Sequence, residues 1–239
     1  MLGLLTRAAS TGGLTEALGR PIVVDALRLS VVTSLLVLLL SLTLGSPLAL
    51  RLARRRGVAV GLLDNLIDLP IVLPPAVAGL ALLLTLGRRG LLGGLLAAMG
   101  IELPFSTAAV VLAALFVAAP FYVRAARAGF LAVPRELEEA ARVEGASEWQ
   151  VFSRVTTPIA LPSLLGGAVL CWARALGEFG ATIMFAGSFE GRTQTMPLAI
   201  YAALESDPDA AVGLSVLLLA TSLGLLVVFR RGLSSATDQ

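Results

Sequence analysis

The sequence predicts an all-α membrane protein, a polytopic bundle of about five transmembrane helices with one charged loop on the cytoplasmic side. Three observations predict it. The 239 residues are 57% hydrophobic and only 14% charged, and their mean hydropathy is +0.90, far more apolar than a water-soluble domain of this size. Five segments reach the roughly twenty apolar residues that cross a hydrocarbon core. The arginines between those segments are distributed unequally from loop to loop, as in chains oriented by positive charge.

The first segment covers about residues 26–50 and ends at a cluster of arginines. The second, about 61–86, contains "DLPIVLPPAVAGLALL", in which Pro70, Pro74 and Pro75 fall close together. Each proline removes a backbone donor and clashes with the carbonyl four residues earlier, so a regular helix is not expected there. Broken backbone at membrane depth is tolerated beside protein or a water-filled cavity. The segment therefore reads as a kinked, protein-facing helix near a passage, with a simple packing kink as the alternative. The stretch 91–101 is apolar but too short and glycine-rich to cross, and is expected at the surface or as a re-entrant piece.

The third segment covers about 106–128, the fourth about 159–186 and the fifth about 210–229. Within the fourth, "CWARALGEFGATIMFAG" places Arg174 and Glu178 four residues apart, where they can pair on one helix face. Charges at this depth are costly and usually face a bundle interior or a water path, so a pore-lining or gate-stabilising pair stands against a purely structural one. Gly177 and Gly180 flank Glu178 and would admit another helix closely.

Placing the loop after the first segment in the cytoplasm puts Arg51, Arg54, Arg55, Arg56, Arg127, Arg135, Arg142, Arg154, Arg230 and Arg231 inside. Arg7, Arg20, Arg88, Arg89 and Arg192 then lie outside, which satisfies the positive-inside bias. This orientation predicts an N-terminus outside and a C-terminus in the cytoplasm. The first 25 residues lack the apolar core of a signal peptide, so the N-terminus is expected to be retained.

Composition excludes several chemistries. All eighteen basic residues are arginine, with no lysine and no histidine, so the chain has no GxxxxGK[ST] phosphate loop, no HExxH zinc site and no Ser/His/Asp triad. The single cysteine, Cys171, reads as a small packing residue. No metal or cofactor is expected, and a net charge of +2 without a basic stripe points away from nucleic acid.

The loop at about 134–158 has its own punctuation. Pro134 suits a helix start and Gly145 the left-handed position past a helix end, which predicts a short helix over 135–144. Ser147 with Gln150 three residues on forms a capping box for a second short helix, which Pro158 is expected to stop. Leu137, Ala140 and Ala141 make a small-residue face on the first helix, and Trp149, Phe152 and Val155 are expected to anchor the second on the membrane helices. Two readings fit: an amphipathic helix resting on the bilayer surface, or a helix docked in the groove of a cytoplasmic partner.

Glu139-Ala140-Ala141, three residues and then Gly145 resembles the EAA loop of binding-protein-dependent ABC transporter permeases. In that family the pattern continues with Ile-x-Leu-Pro, where this chain has Val155-Thr156-Thr157-Pro158; valine stands for isoleucine, threonine replaces leucine, and Pro158 matches. "DLPIVLPPAVAGLALL", "LGRRGLLG", "RALGEFGATIMFAG" and "GRTQTMPLAIYAALE" are similar in order to segments of the molybdate branch.

The resemblance implies a single permease domain whose coupling-helix loop, with Glu139, Ala140, Ala141, Arg142, Gly145 and Pro158, meets a separate ATPase. It implies as partners a second copy of the chain, a cytoplasmic ABC ATPase dimer and an extracytoplasmic oxyanion-binding protein, and it places the chain in the cell membrane of a prokaryote. The chain would translocate molybdate and would not itself be an enzyme. Pro74, Pro75, Arg174, Glu178 and Thr182 are pore or gate candidates, and Arg192, Thr193 and Gln194 are outer-mouth candidates, with an ordinary hydrated loop as the alternative for these three. A sulfate or tungstate permease is the near alternative; an ATP-independent transporter or a membrane enzyme belongs to a different class.

Overall fold

The computed structural model describes residues 21–55 and 57–237, with side chains over 22–55 and 57–227. The expected fate of the N-terminus, and Arg7, Arg20, Arg56 and the side chains of Arg230 and Arg231, lie outside the described residues. The described residues are helical and connected by short loops. Four helices are long and apolar enough to cross a membrane, and a fifth crossing is counted only if one bent pair is taken as a single span.

Helix α1 (Pro21–Arg54) extends beyond the predicted first span at both ends, and Pro47 does not end it. The second predicted span is corrected by the structure: α2 (Val58–Val72) and α3 (Pro75–Leu86) are separate helices bent by 117°. Pro74 and Pro75 force the break, because neither can donate back to the preceding turn, and Pro75 instead opens α3. Of the expected protein-facing helix, α3 buries only Ala78 and Gly79 and α2 only Pro70, while Leu62, Leu66, Leu69 and Val72 of α2 and Val77, Leu80 and Leu84 of α3 are exposed. Two ion pairs tie α2 to α5: Asp64 with Arg127 and Asp68 with Arg124, each at 2.8 Å. The stretch after α3 folds back on it as the short α4 (Gly93–Ala98), too short to cross, as expected.

Helix α5 (Thr107–Leu131) is capped by Ser106, whose Oγ accepts from the Ala109 N–H at 3.2 Å. It packs with α1 and with α8 (Thr157–Leu176) around Val37, Tyr122, Phe130, Cys171 and Trp172, all buried. Between apolar helices in lipid, close packing and hydrogen bonds supply the cohesion that water expulsion supplies elsewhere. Here Gly167 brings the helices so near that a Cβ would stand 2.6 Å from the Ala125 Cβ. Three serines of α1 add polar clips: Ser46 with the Tyr122 hydroxyl at 2.6 Å, Ser41 accepting from Cys171, and Ser34 accepting from the Trp172 indole at 3.2 Å. The packing role expected of Cys171 is thus seen.

Between α5 and α8 run the loop helix α6 (Arg135–Val143) and α7 (Glu148–Val151). Pro158 does not stop the second loop helix. Instead a π turn over Phe152–Thr156 carries α7 directly into α8, with the Thr157 N–H on the Phe152 carbonyl. The widened turn precedes the point where a regular helix would press the Pro158 ring against the carbonyl four residues earlier.

The fourth predicted span is also broken. After α8 the chain turns at Gly177–Phe179 and restarts as α9 (Gly180–Ala186). Helix α10 (Met196–Ser206) follows a loop whose last three residues, Thr193, Gln194 and Thr195, are buried, and α11 (Pro208–Thr237) completes the described chain.

Candidate functional site

Two regions gather the residues singled out by sequence. The first is the loop. Helix α6 ends in a Schellman arrangement: Gly145 has φ +91°, its N–H reaches the Arg142 carbonyl, and the Ala146 N–H reaches the Ala141 carbonyl at 3.0 Å. Ser147 and Gln150 form the predicted capping box, at 2.8 and 3.3 Å. Arg142 and Glu148 join the two short helices at 2.7 Å. That hydrogen bond, with the surrounding carboxylates, raises the Arg142 pKa above the usual arginine value. Glu139, Ala140 and Arg142 are exposed and Ala141 is half-buried.

The residue that fixes this helix is one the sequence reading passed over. Glu138 is 6% exposed, paired with Arg54 at the end of α1, and it accepts a hydrogen bond from the Thr156 hydroxyl at 2.6 Å. One carboxylate thus joins the end of α1, the loop helix and the π turn. The only hint in the sequence was a second glutamate beside Glu139; its partners lie 84 and 18 residues away. Around it, Leu50, Arg54, Glu139, Arg142 and Val151 help line a polar recess of about 380 Å³.

The predicted anchor of the second helix holds at Phe152, which packs against Phe130 and the main core, and is corrected at Trp149, which is 72% exposed while Val151 and Thr156 are the buried positions. The capping box sets the phase of this helix, and the π turn then changes it before the span begins. Val143 is also exposed, at 88%, as is Leu137. The outer face of the loop therefore carries large apolar side chains among its charges.

The second region is where the two broken spans meet. Helices α3 and α9 touch through glycine: a Cβ on Gly79 would stand 2.5 Å from the Ala181 carbonyl oxygen, and one on Gly180 would stand 3.0 Å from the Pro75 Cβ. Gly180 thus makes the close approach expected of it, whereas a Cβ on Gly177 would approach nothing nearer than its own Ala173 carbonyl, at 3.6 Å. Arg174 and Glu178 form the predicted pair at 2.5 Å. They do not share a continuous helix, because Glu178 lies in the break. Its second oxygen accepts the Ala181 N–H at 2.7 Å and so caps α9. Thr182 is buried beside this contact, Pro74 is exposed and Pro75 half-buried.

The three outer-mouth residues divide. Arg192 is exposed, but Thr193 and Gln194 are buried. Thr193 accepts from the Phe189 N–H at 2.9 Å, and the Gln194 amide donates to Ser188. These two side chains hold the loop before α10 in shape, which places them apart from the hydrated loop that the sequence allowed. Among the described residues there is no group of histidine, cysteine and acidic side chains able to hold a metal.

Residues 41–231 match the family described as binding-protein-dependent transport system inner membrane component. The chain belongs to this family. A relative from Mycobacterium tuberculosis, a molybdenum transport system permease protein, is 51% identical over 81% of this chain and 73% of its own length. A permease protein of the same description from Escherichia coli is 43% identical over 76% of this chain and 80% of its own. A molybdate/tungstate transport system permease protein from Thermococcus kodakarensis is 36% identical over 95% and 85%. The fold is that of solved transporters. A bacterial alginate ABC transporter, crystallised with its alginate-loaded periplasmic protein, superposes with a TM-score of 0.79 over all of this chain and 88% of its own, at 16% identity. The inward-facing MetNI methionine transporter gives 0.67 over 90% and 96%, at 18% identity. The family and the apolar helices make this a multi-pass membrane protein.

Proposed function

We propose that the chain is the membrane-spanning permease subunit of an ATP-driven importer that carries molybdate into the cytoplasm. The observation that carries the reading is the braced loop helix: α6 presents exposed polar and apolar side chains outward while Glu138 ties its inner face to α1 and to the start of α8. A helix fastened in this way passes a push from a docked subunit into the membrane helices. A helix resting on lipid would have its apolar face turned to the acyl chains. The molybdenum permeases of Mycobacterium and Escherichia support the substrate.

In this reading two copies of the chain form the path, and a separate ATPase dimer receives Glu139 to Gly145 on the cytoplasmic side. A binding protein delivers the oxyanion on the other side. The arginine distribution supports an N-terminus outside and a C-terminus in the cytoplasm. Closure of the ATPase dimer on ATP moves the loop helices and switches the path from inward-facing to outward-facing; hydrolysis resets it. Reconstitution of the permease with its ATPase and binding protein tests the reading. Molybdate-loaded binding protein is expected to stimulate ATP hydrolysis and uptake together, and stimulation by sulfate alone would overturn the substrate. The Thermococcus relative favours one second reading, tungstate beside molybdate, which the same assay separates by competition.

A further inference from the structure

One face of α8 is open along its length. Pro162, Gly166, Leu170, Ala173 and Gly177 are exposed on it, and between them lies one charged side chain, Arg174. Arg174 lies in the last turn of α8, two positions beyond Trp172, whose indole meets Ser34 well inside α1, so the broken end of α8 places the guanidinium level with the interior of α1. A charge there faces water or protein, not lipid.

The pair it forms is asymmetric. The Glu178 side chain is 2% exposed and doubly held, one oxygen on the Ala181 N–H and the other on Arg174, while 27% of the Arg174 side chain is exposed on the open face. The carboxylate is anchored by α9, so breaking its contact with Arg174 leaves it still hydrogen-bonded. The N-terminal end of α3, a twelve-residue helix, abuts the same break at Pro75 and Ala76, and its dipole adds positive potential.

We propose that Arg174 is the transient contact for the oxyanion in the path, with Glu178 as its internal stand-in. Between cycles the Glu178 oxygen that Ala181 does not hold neutralises the guanidinium. A tetrahedral dianion on the open face takes that place, using the fork of N–H donors that suits two oxygens at once, while Glu178 keeps its bond to Ala181. When the path turns inward, Glu178 returns to Arg174 and displaces the anion. The competition prevents tight binding, which conduction requires. The class of ligand is a tetrahedral oxyanion dianion, molybdate or one of its isosteres, and the inference rests on the importer reading.

The test uses the whole complex in proteoliposomes, with molybdate uptake and molybdate retention measured for Arg174→Gln, Arg174→Lys and Glu178→Gln. Glu178→Gln preserves an acceptor for Ala181 but weakens the stand-in. Arg174→Gln is expected to lower uptake by about tenfold or more, the scale of one charge-assisted hydrogen bond lost from a charged ligand, with partial rescue in Arg174→Lys. Glu178→Gln is expected to retain molybdate longer and to turn over more slowly. A pair that merely braces the helices predicts instead that Arg174→Gln and Glu178→Gln lose melting temperature and uptake alike, with no gain in retention, and that result overturns the proposal even if Arg174→Gln assembles poorly. Wild-type uptake in Arg174→Gln overturns it too. Failure of the importer reading is separate: the unmutated complex would then show no stimulation by its loaded binding protein.

Discussion

Removing the Glu138 carboxylate would leave Arg54 and Thr156 facing an empty position where three segments meet. Breaking one side of a buried ion pair costs about 3–5 kcal/mol, because the remaining charge is left without a partner. Glu138→Ala is therefore expected to lower the melting temperature of the purified protein clearly, and Glu138→Gln, which can still accept from Thr156, to lower it less. Equal melting of both variants and wild type would remove the brace. Gly145 asks for a different experiment. Its φ of +91° is one that side chains bearing a Cβ adopt at a cost of about 1–3 kcal/mol, and a Cβ there would meet nothing within 4 Å. Gly145→Val is thus expected to insert into the membrane and assemble, but to distort the turn after α6 and lose stimulated ATP hydrolysis; normal uptake would sink the docking role of the loop. The glycine was legible from its place after a helical run, and Glu138 was not, because nothing local distinguishes it from Glu139.

At the scale of elements, helix existence was readable and helix continuity was not. Apolar length marked the segments now occupied by α1, α5 and α11, and the capping box and Pro134 marked the loop helices. The breaks depended on what lies across the bundle: α9 restarts where Glu178 can cap it and where glycines let α3 approach. Pro158 stays within a continuous helical run for a related reason. A proline ends a helix only when no neighbouring distortion relieves its clash, and the π turn over Phe152–Thr156 supplies that relief. This turn holds one residue more than an α turn, so deleting Ser153 would close it, leave α7 and α8 in nearly the same phase, and return the Pro158 ring to its clash with the carbonyl four residues earlier. The deletion is expected to leave expression and insertion intact while lowering the melting temperature of the purified protein, on the scale of about 3 kcal/mol for a proline inside a regular helix. A melting temperature equal to that of the wild type would show that the π turn relieves no clash.

At the scale of the whole molecule, the chain combines a sequence without a phosphate loop, a permease fold, and a braced loop helix whose outer face is exposed. The fold class and the family were legible because hydropathy and the EAA spacing are local properties. The convergence of two broken spans was not legible, because it belongs to the assembled bundle. The 117° bend between α2 and α3 has a further consequence. At 1.5 Å per residue, their fifteen and twelve residues measure only about 22 and 18 Å, less than the roughly 30 Å hydrocarbon thickness of a typical bilayer. Neither limb fills the slab, so lipid beside the bend must thin or the exposed leucines of α2 must tilt to stay covered. Activity reconstituted in lipids of graded acyl length is therefore expected to peak below the thickness preferred by the straight helices α1 and α5, making membrane thickness itself a setting on the transporter.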